Sequence, residues 1–309
     1  MFNKKALFGF LGAATLLSTL LHADGQTPLK VEELLSKKNA FNVDVSVAYS
    51  NIDQKTAMST VVPVSTLLSF IYIPAYAGEQ VLDQDVVVTS LNLKYGLTDW
   101  LELVMYANGH NTSSRVQLGD AIANQADTDF DHAGIGATFR VKDEGVYPSL
   151  LVGVSTNVIG RLTFADRDVD GNVIGTTKQD KTFESFNFYA LSYYTVDPVV
   201  FVFKAQYQWS VEEDYKGDTG DRPDILAISP QVYFAVNPYT NLSWGVTYRY
   251  QTEQRFNGKV ETIAESSIGY NIGVSYEVSR GNIISLDASN NETATYSQNT
   301  INLIYSKRF

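Results

Sequence analysis

The sequence predicts an all-β fold: a closed antiparallel transmembrane β-barrel of about twelve strands, with a short N-terminal helix ahead of it. Three observations predict it. Apolar side chains alternate with small or polar ones through most of residues 40–309. Five short turns alternate with six longer polar connections. The chain ends on Phe309, inside its last alternating stretch.

Alternation with a period of two is the mark of a strand whose faces meet different media. In a transmembrane barrel one face meets lipid and the other a wet lumen. Closure follows from backbone chemistry, because an unpaired N–H or C=O in hydrocarbon costs several kcal/mol and an open sheet edge cannot sit there. A secreted β-sandwich is the structural rival. Its inward residues would need to make a dry core, whereas here one phase is small, polar or charged in nearly every strand.

Residues 1–23 read as a cleavable secretory signal. Lys4 and Lys5 form a charged start, Ala6 to Leu21 an apolar run, and Ala23 a small residue before the cut. Residues 24–39 hold the helix, from Pro28 to Lys38. Thr27 suits the N-cap and Pro28 the first helical position. Glu32 and Glu33 come early and Lys37 and Lys38 late, which complements the helix dipole. Val31, Leu34 and Leu35 form one apolar stripe. That stripe makes the helix a candidate plug for the lumen; a frayed periplasmic tail is the alternative, since so short a helix is marginal alone.

The barrel occupies residues 40–309. Phe41, Val43, Val45, Val47 and Tyr49 face lipid, opposed by Asn42, Asp44, Ser46, Ala48 and Ser50. Val87, Leu91, Leu93 and Tyr95 oppose Ser90, Asn92 and Lys94; Leu101, Leu103 and Met105 oppose Glu102, Tyr106 and Asn108. The pattern continues through strands centred near residues 137, 154, 205, 230, 246, 272, 285 and 303. Thr182 to Tyr194 is strand-like with ambiguous facing; Phe186 and Phe188 are placed outward and Asn187 inward. Short turns fall at Gly96 to Asp99, Asp143 to Gly145, Asp197-Pro198, Asn237-Pro238 and Ser279 to Asn282. Long connections fall near 53–82, 109–130, 159–181, 212–223, 252–259 and 290–297. Outer-membrane barrels put short turns in the periplasm and long loops outside.

Composition narrows the function classes. The chain has no Cys, so neither disulfides nor thiolate metal sites exist. Its net charge is −11; removing residues 1–23 takes away two Lys and no acid, which leaves −13. An acidic chain lacks the basic face that nucleic acid requires. No cofactor motif is present. The expected partners are outer-membrane lipid and lipopolysaccharide, the barrel-assembly machinery, and a transported solute or polypeptide.

Eight charges fall on the inward phase: Asp44, Lys94, Glu102, Arg140, Lys204, Arg249, Asp287 and Arg308. They are candidate lumen-lining residues that set charge selectivity; pairing across a filled barrel is the bland alternative. The first long connection carries Val61 to Val64 and Leu67 to Tyr76, too apolar to lie free in water, and is expected to form a hairpin at the barrel mouth. Asp166 to Asn172 resembles half a calcium loop, but Thr177 stands where the closing glutamate belongs, which favours a solvated acidic loop. His110 is placed in a loop mouth and His132 on the lumen face, and neither has a serine set for attack, so the chain does not read as an enzyme.

Tyr95-Gly96-Leu97-Thr98-Asp99-Trp100-Leu101-Glu102-Leu103 resembles a turn of the outer-membrane barrel family labelled "MetA-pathway of phenol degradation", with Trp100 in place of that family's arginine. Val31-Glu32-Glu33-Leu34-Leu35 ahead of Phe41 is similar to the helix before the first strand in the functional-amyloid (Fap-type) secretion pore. The resemblance implies an outer-membrane transport pore, for small hydrophobic or aromatic solutes or for unfolded amyloid-type polypeptide, with a helical plug and a homotrimeric assembly. Only Asp24 to Gln26 precede the helix, so the coiled coil of the amyloid pore has no counterpart.

Overall fold

The structure is a computed structural model. It describes residues 35–54, 59–65, 70–76, 83–118, 121–167, 173–215, 218–293 and 296–309. The expected signal segment, Val31, Leu34 and most of the expected helix lie outside the described residues.

Twelve long strands make the barrel: β1 (Phe41–Gln54), β2 (Asp83–Gly96), β3 (Leu101–Leu118), β4 (Ala121–Lys142), β5 (Leu150–Arg167), β6 (Ser185–Val196), β7 (Val199–Ser210), β8 (Ile225–Asn237), β9 (Thr240–Gln251), β10 (Glu265–Ser279), β11 (Asn282–Glu292) and β12 (Tyr296–Arg308). Each pairs antiparallel with its sequence neighbours, and β1 pairs with β12 from Asn42↔Arg308 to Gln54↔Tyr296. The ring is therefore closed. Its last link is the Phe309 N–H, which donates to the Phe41 carbonyl at 2.9 Å. The terminal Phe309 ring lies 6.2 Å from the Phe41 ring, so the seam is sealed by side chains as well.

Burial alternates as expected. Along β2 every second residue from Gln84 to Gly96 is buried, while Leu91 and Tyr95 are exposed. Phe188 faces out and Asn187 is buried, as placed from the sequence. Exposed aromatics gather toward both strand ends. Trp100 stacks on Phe139 at the turn end, and Phe186 on Trp209 at the loop end. Tyr49 and Tyr207 donate to Asp85 and Asp224, which holds polar tips at the rim of an apolar belt.

The five short turns stand where the sequence put them. The long connections differ. Residues 109–130 are not a loop: β3 and β4 continue to the pair Leu118↔Ala121. β5 runs on to Arg167 and pairs above the belt with Val173–Lys181, and β11 and β12 absorb most of 290–297. Strands thus reach 22 residues in β4. Around Asn111, Ser113 and Thr128 polar residues stand on both faces, so the strands pair there without showing apolar alternation. Residues 213–215, 218–221, 254–256 and 259–262 form two hairpins joined into a four-stranded sheet, the second turning at Asn257-Gly258. The apolar first connection is a hairpin, Ser59–Ser65 against Phe70–Tyr76.

Residues 35–40 are not helical, which corrects the end of the expected helix. Their backbone groups bond to the barrel rim instead, and Asn39 has a positive φ of 64°. A proline interrupts the wall in β8. Pro230 stands inside β8 and has no N–H to give, and the β8–β9 pairing is interrupted between Ile228↔Tyr248 and Gln231↔Gly245 with the register kept. The gap is spanned by a 3.0 Å hydrogen bond between the Ser229 and Thr247 hydroxyls.

Candidate functional site

The candidate site is the inner face of the ring. It begins at the turn end, where residues 35–40 cross beneath β2 and β3. The Ser36 N–H and hydroxyl both donate to the Glu102 carboxylate, the former at 2.7 Å. The Lys38 N–H donates to Asp99 at 3.4 Å, and the Asn39 N–H to the Gly96 carbonyl at 2.7 Å. The Tyr95 hydroxyl donates to the Asn39 side chain at 3.2 Å. Gly96 is needed for a steric reason: a Cβ there would collide with the carbonyl oxygens of Ser36 and Lys37. The turn Tyr95 to Glu102, singled out in the sequence as a resemblance, is thus the clamp that holds the segment ahead of β1.

The clamp aims Leu35 inward. Leu35 is 5% exposed and packs with Leu151, Leu191, Tyr193, Val200 and Val202, with Tyr233 beside them. These residues come from β5 to β8 on the inner phase. A second apolar cluster, Ala48, Ile52, Val86, Val88, Val104 and Tyr106, occupies the inner phase of β1 to β3. The sequence reading had a lumen face small, polar or charged in nearly every strand; two inner patches are instead apolar.

Between them lie the charges. Asp44 and Lys94 are buried and pair at 3.1 Å. Lys204 is buried, with Asp287 and Lys94 close enough to act on it electrostatically. Asp44, Lys94, Lys204 and Asp287 therefore belong to one inner network. Glu102 is spoken for by Ser36. Arg249 is half-buried on the same phase. Arg140 and Arg308 sit at the turn-end rim, where Arg140 pairs with the exposed Asp143 at 3.1 Å.

The loop end carries polar residues that periodicity alone did not single out. The Tyr106 hydroxyl donates to Asn157 at 2.8 Å, and the Asn157 amide donates to Glu184 at 2.8 Å. Arg222 lies 3.6 Å from the Glu184 carboxylate. Burial pushes the Glu184 carboxyl above the ordinary carboxylate range, against the pull of Arg222 and Asn157. Tyr106 lies flat over Gly134, and Tyr189 over Gly153, where any Cβ would strike the ring. Such pairs let long side chains fold onto the wall. His110 stands in β3, not in a loop, 2.5 Å from Asp131. Above the last β4–β5 pair, His132↔Gly160, ion pairs reach β4 from two strands: Arg161 of β5 to Asp129, and Lys178 of the strand Val173–Lys181 to Asp127 and Asp129, each at 2.7 Å. Asp166 and Arg167 are strand residues, which corrects the start of the expected acidic loop; residues 168–172 lie outside the described residues.

The ring, its two aromatic belts and its polar inner face define an outer-membrane type of β-barrel. No family model matches the chain, and no curated protein does. Solved structures do. The chain is similar to the COG4313 outer membrane channel from Pseudomonas putida F1 at 13% identity, over 94% of this chain and 100% of that one, with a TM-score of 0.58. It is similar to the translocator domain of the autotransporter NalP from Neisseria meningitidis at 10% identity, over 99% of this chain and 97% of that one, with a TM-score of 0.54. At such identities the likeness shows the fold: this is the closed barrel that outer-membrane channels and translocators share.

Proposed function

We propose that the chain is a transport pore of the bacterial outer membrane that passes small apolar or aromatic solutes through its lumen. The carrying observation is the pair of apolar patches on the inner face, one of them covered by Leu35. A lumen serving ions alone gains nothing from burying valine and leucine there. An apolar solute gains contact area at each patch, and the charge network between them discourages bulk ion flow. The short turns face the periplasm, the polar strand extensions stand outside, and the segment ahead of β1 enters the lumen from below as a plug. That entry is the feature shared with the amyloid-secretion resemblance.

Reconstituted wild-type protein is expected to speed entry of toluene into vesicles that contain a solvatochromic reporter. Deletion of residues 27–38 is expected to add ion conductance in planar bilayers. If neither preparation passes solute or current, the pore reading fails and a non-conducting structural or adhesive barrel takes its place.

A further inference from the structure

We infer that the seam between β8 and β9 at Pro230 is a side exit, through which a compact apolar solute passes between the lumen and the bilayer. This deepens the pore reading and rests on it for the supply of solute.

The first observation is a break in the ladder. The β7–β8 seam pairs row by row from Val199↔Phe234 to Gln208↔Ile225, and the β9–β10 seam from Thr240↔Tyr276 to Gln251↔Glu265. Between β8 and β9, the pairs Ile228↔Tyr248 and Gln231↔Gly245 share one register, yet the two rows between them are unpaired. By that register the rows hold Ser229 opposite Thr247 and Pro230 opposite Val246. Proline is normally confined to the edges and bulges of a sheet. This one stands inside a strand, between the rim at Tyr207 and the turn at Asn237. In hydrocarbon no water replaces a missing backbone bond, so a proline at that depth calls for a reason. The strands are held at the break by the Ser229 and Thr247 hydroxyls, 3.0 Å apart. Parting them there breaks fewer backbone bonds than on either neighbouring seam.

The second observation is what stands on each side of the break. On the lipid side a cavity of about 500 Å³ lies against Pro230, walled by the exposed Phe201, Phe203 and Trp244 with Val232 and Val246 beside them. Cavities of that size hold small ligands. Tyr193 and Val202 also line it, and both belong to the inner apolar patch that Leu35 covers. Val202 pairs with Gln231, the residue next to Pro230, so the inner patch ends at the break. A neighbouring lipid-facing groove of about 620 Å³ runs over Leu242, Ile272, Val274 and Leu286, but β9, β10 and β11 pair without a break beneath it. Apolar surface inside, a gap in the pairing and apolar surface outside coincide at Pro230.

The class of solute follows. The outer walls are hydrocarbon and aromatic ring, and two hydroxyls form the latch. An ion or a sugar would give up its water there without replacement. The seam therefore suits a neutral, compact hydrocarbon or arene, and ions keep to the axial path.

The chain has no Cys, so the seam can be locked at will. In Ser229→Cys/Thr247→Cys, oxidation joins β8 to β9 and reduction frees them. Toluene entry is read in reporter vesicles with a lipopolysaccharide outer leaflet, where unaided entry is slow. It is expected to match wild type in the reduced form and to fall to the protein-free rate on oxidation. Ser275→Cys/Ser285→Cys, which replaces hydroxyls 2.8 Å apart on the β10–β11 seam, is expected to pass toluene in both forms. Locking the β8–β9 seam in the deletion of residues 27–38 is expected to leave ion conductance unchanged. Toluene entry that survives oxidation at the β8–β9 seam, or that is lost at both seams alike, overturns the side exit and leaves an axial route. If no preparation passes toluene, the pore reading fails, and opening of the seam is read by labelling with pyrene maleimide dissolved in the bilayer. Faster reaction at Thr247→Cys than at Ser275→Cys keeps the seam; equal rates overturn it as well.

Discussion

Replacing Gly96 with valine is expected to expel residues 35–40 from the barrel and raise single-channel conductance severalfold. The added side chain meets backbone carbonyl oxygens of Ser36 and Lys37, which cannot rotate out of the way as a side chain tip would. Something must shift, and the segment is the weaker party. It holds on through a handful of hydrogen bonds at the rim, whereas β2 is paired along its length to β1 and β3. The ring should therefore stay closed while Leu35 leaves its apolar patch. Glu102→Ala should act in the same direction more mildly, since it removes the charged acceptor for Ser36, worth about 1.5–3 kcal/mol. Planar-bilayer recording reads the conductance, and limited proteolysis between residues 35 and 40 reads the release. Conductance unchanged in both variants would mean that the clamp does not control the lumen.

Ile272→Arg is expected to destabilise the barrel by about 2–4 kcal/mol when it is folded into lipid vesicles. Ile272 is 58% exposed, lies opposite the exposed Trp244 in the β9–β10 register, and stands midway along β10. An arginine there places its charge in hydrocarbon. The neighbouring inward substitution, Asn271→Arg, puts the same charge on the polar face and is expected to cost far less. Urea titration of the two variants in vesicles gives the difference directly. Equal costs would mean that the two faces do not meet different media.

Much of this was legible in the residues themselves. Strict parity in Phe41 to Ser50 fixed which face of β1 looks inward, because a one-residue slip would turn every apolar side chain to the wrong side. The run Val86-Val87-Val88 shows where that signal fails. Parity with Leu91 and Leu93 puts Val87 outward and so turns Val86 and Val88 in, as found, but three valines in a row do not mark an apolar patch on the inner face. The inner apolar patches were hidden for that reason. The strand extensions were hidden for the opposite one: Asn111, Ser113 and Thr128 lie in paired strand, but with polar residues on both faces. The helix was read too far toward β1. Caps and charge order argue for local structure at Ser36 to Lys38, while the rim of the barrel offers those backbone groups better partners. The clamp was visible as a motif, but its purpose depends on a contact 66 residues apart in the chain.

Because the chain has no Cys, single cysteines can be spin-labelled one at a time along β12, from residue 301 to residue 306. Electron paramagnetic resonance then compares each label's exposure to oxygen, which concentrates in lipid, with its exposure to a water-soluble nickel chelate. Labels at 301, 303 and 305 should be reached by oxygen and shielded from nickel, and labels at 302, 304 and 306 should lack that oxygen contact. Six labels that respond alike, or that change smoothly without a period of two, would contradict a sealed ring standing in a bilayer.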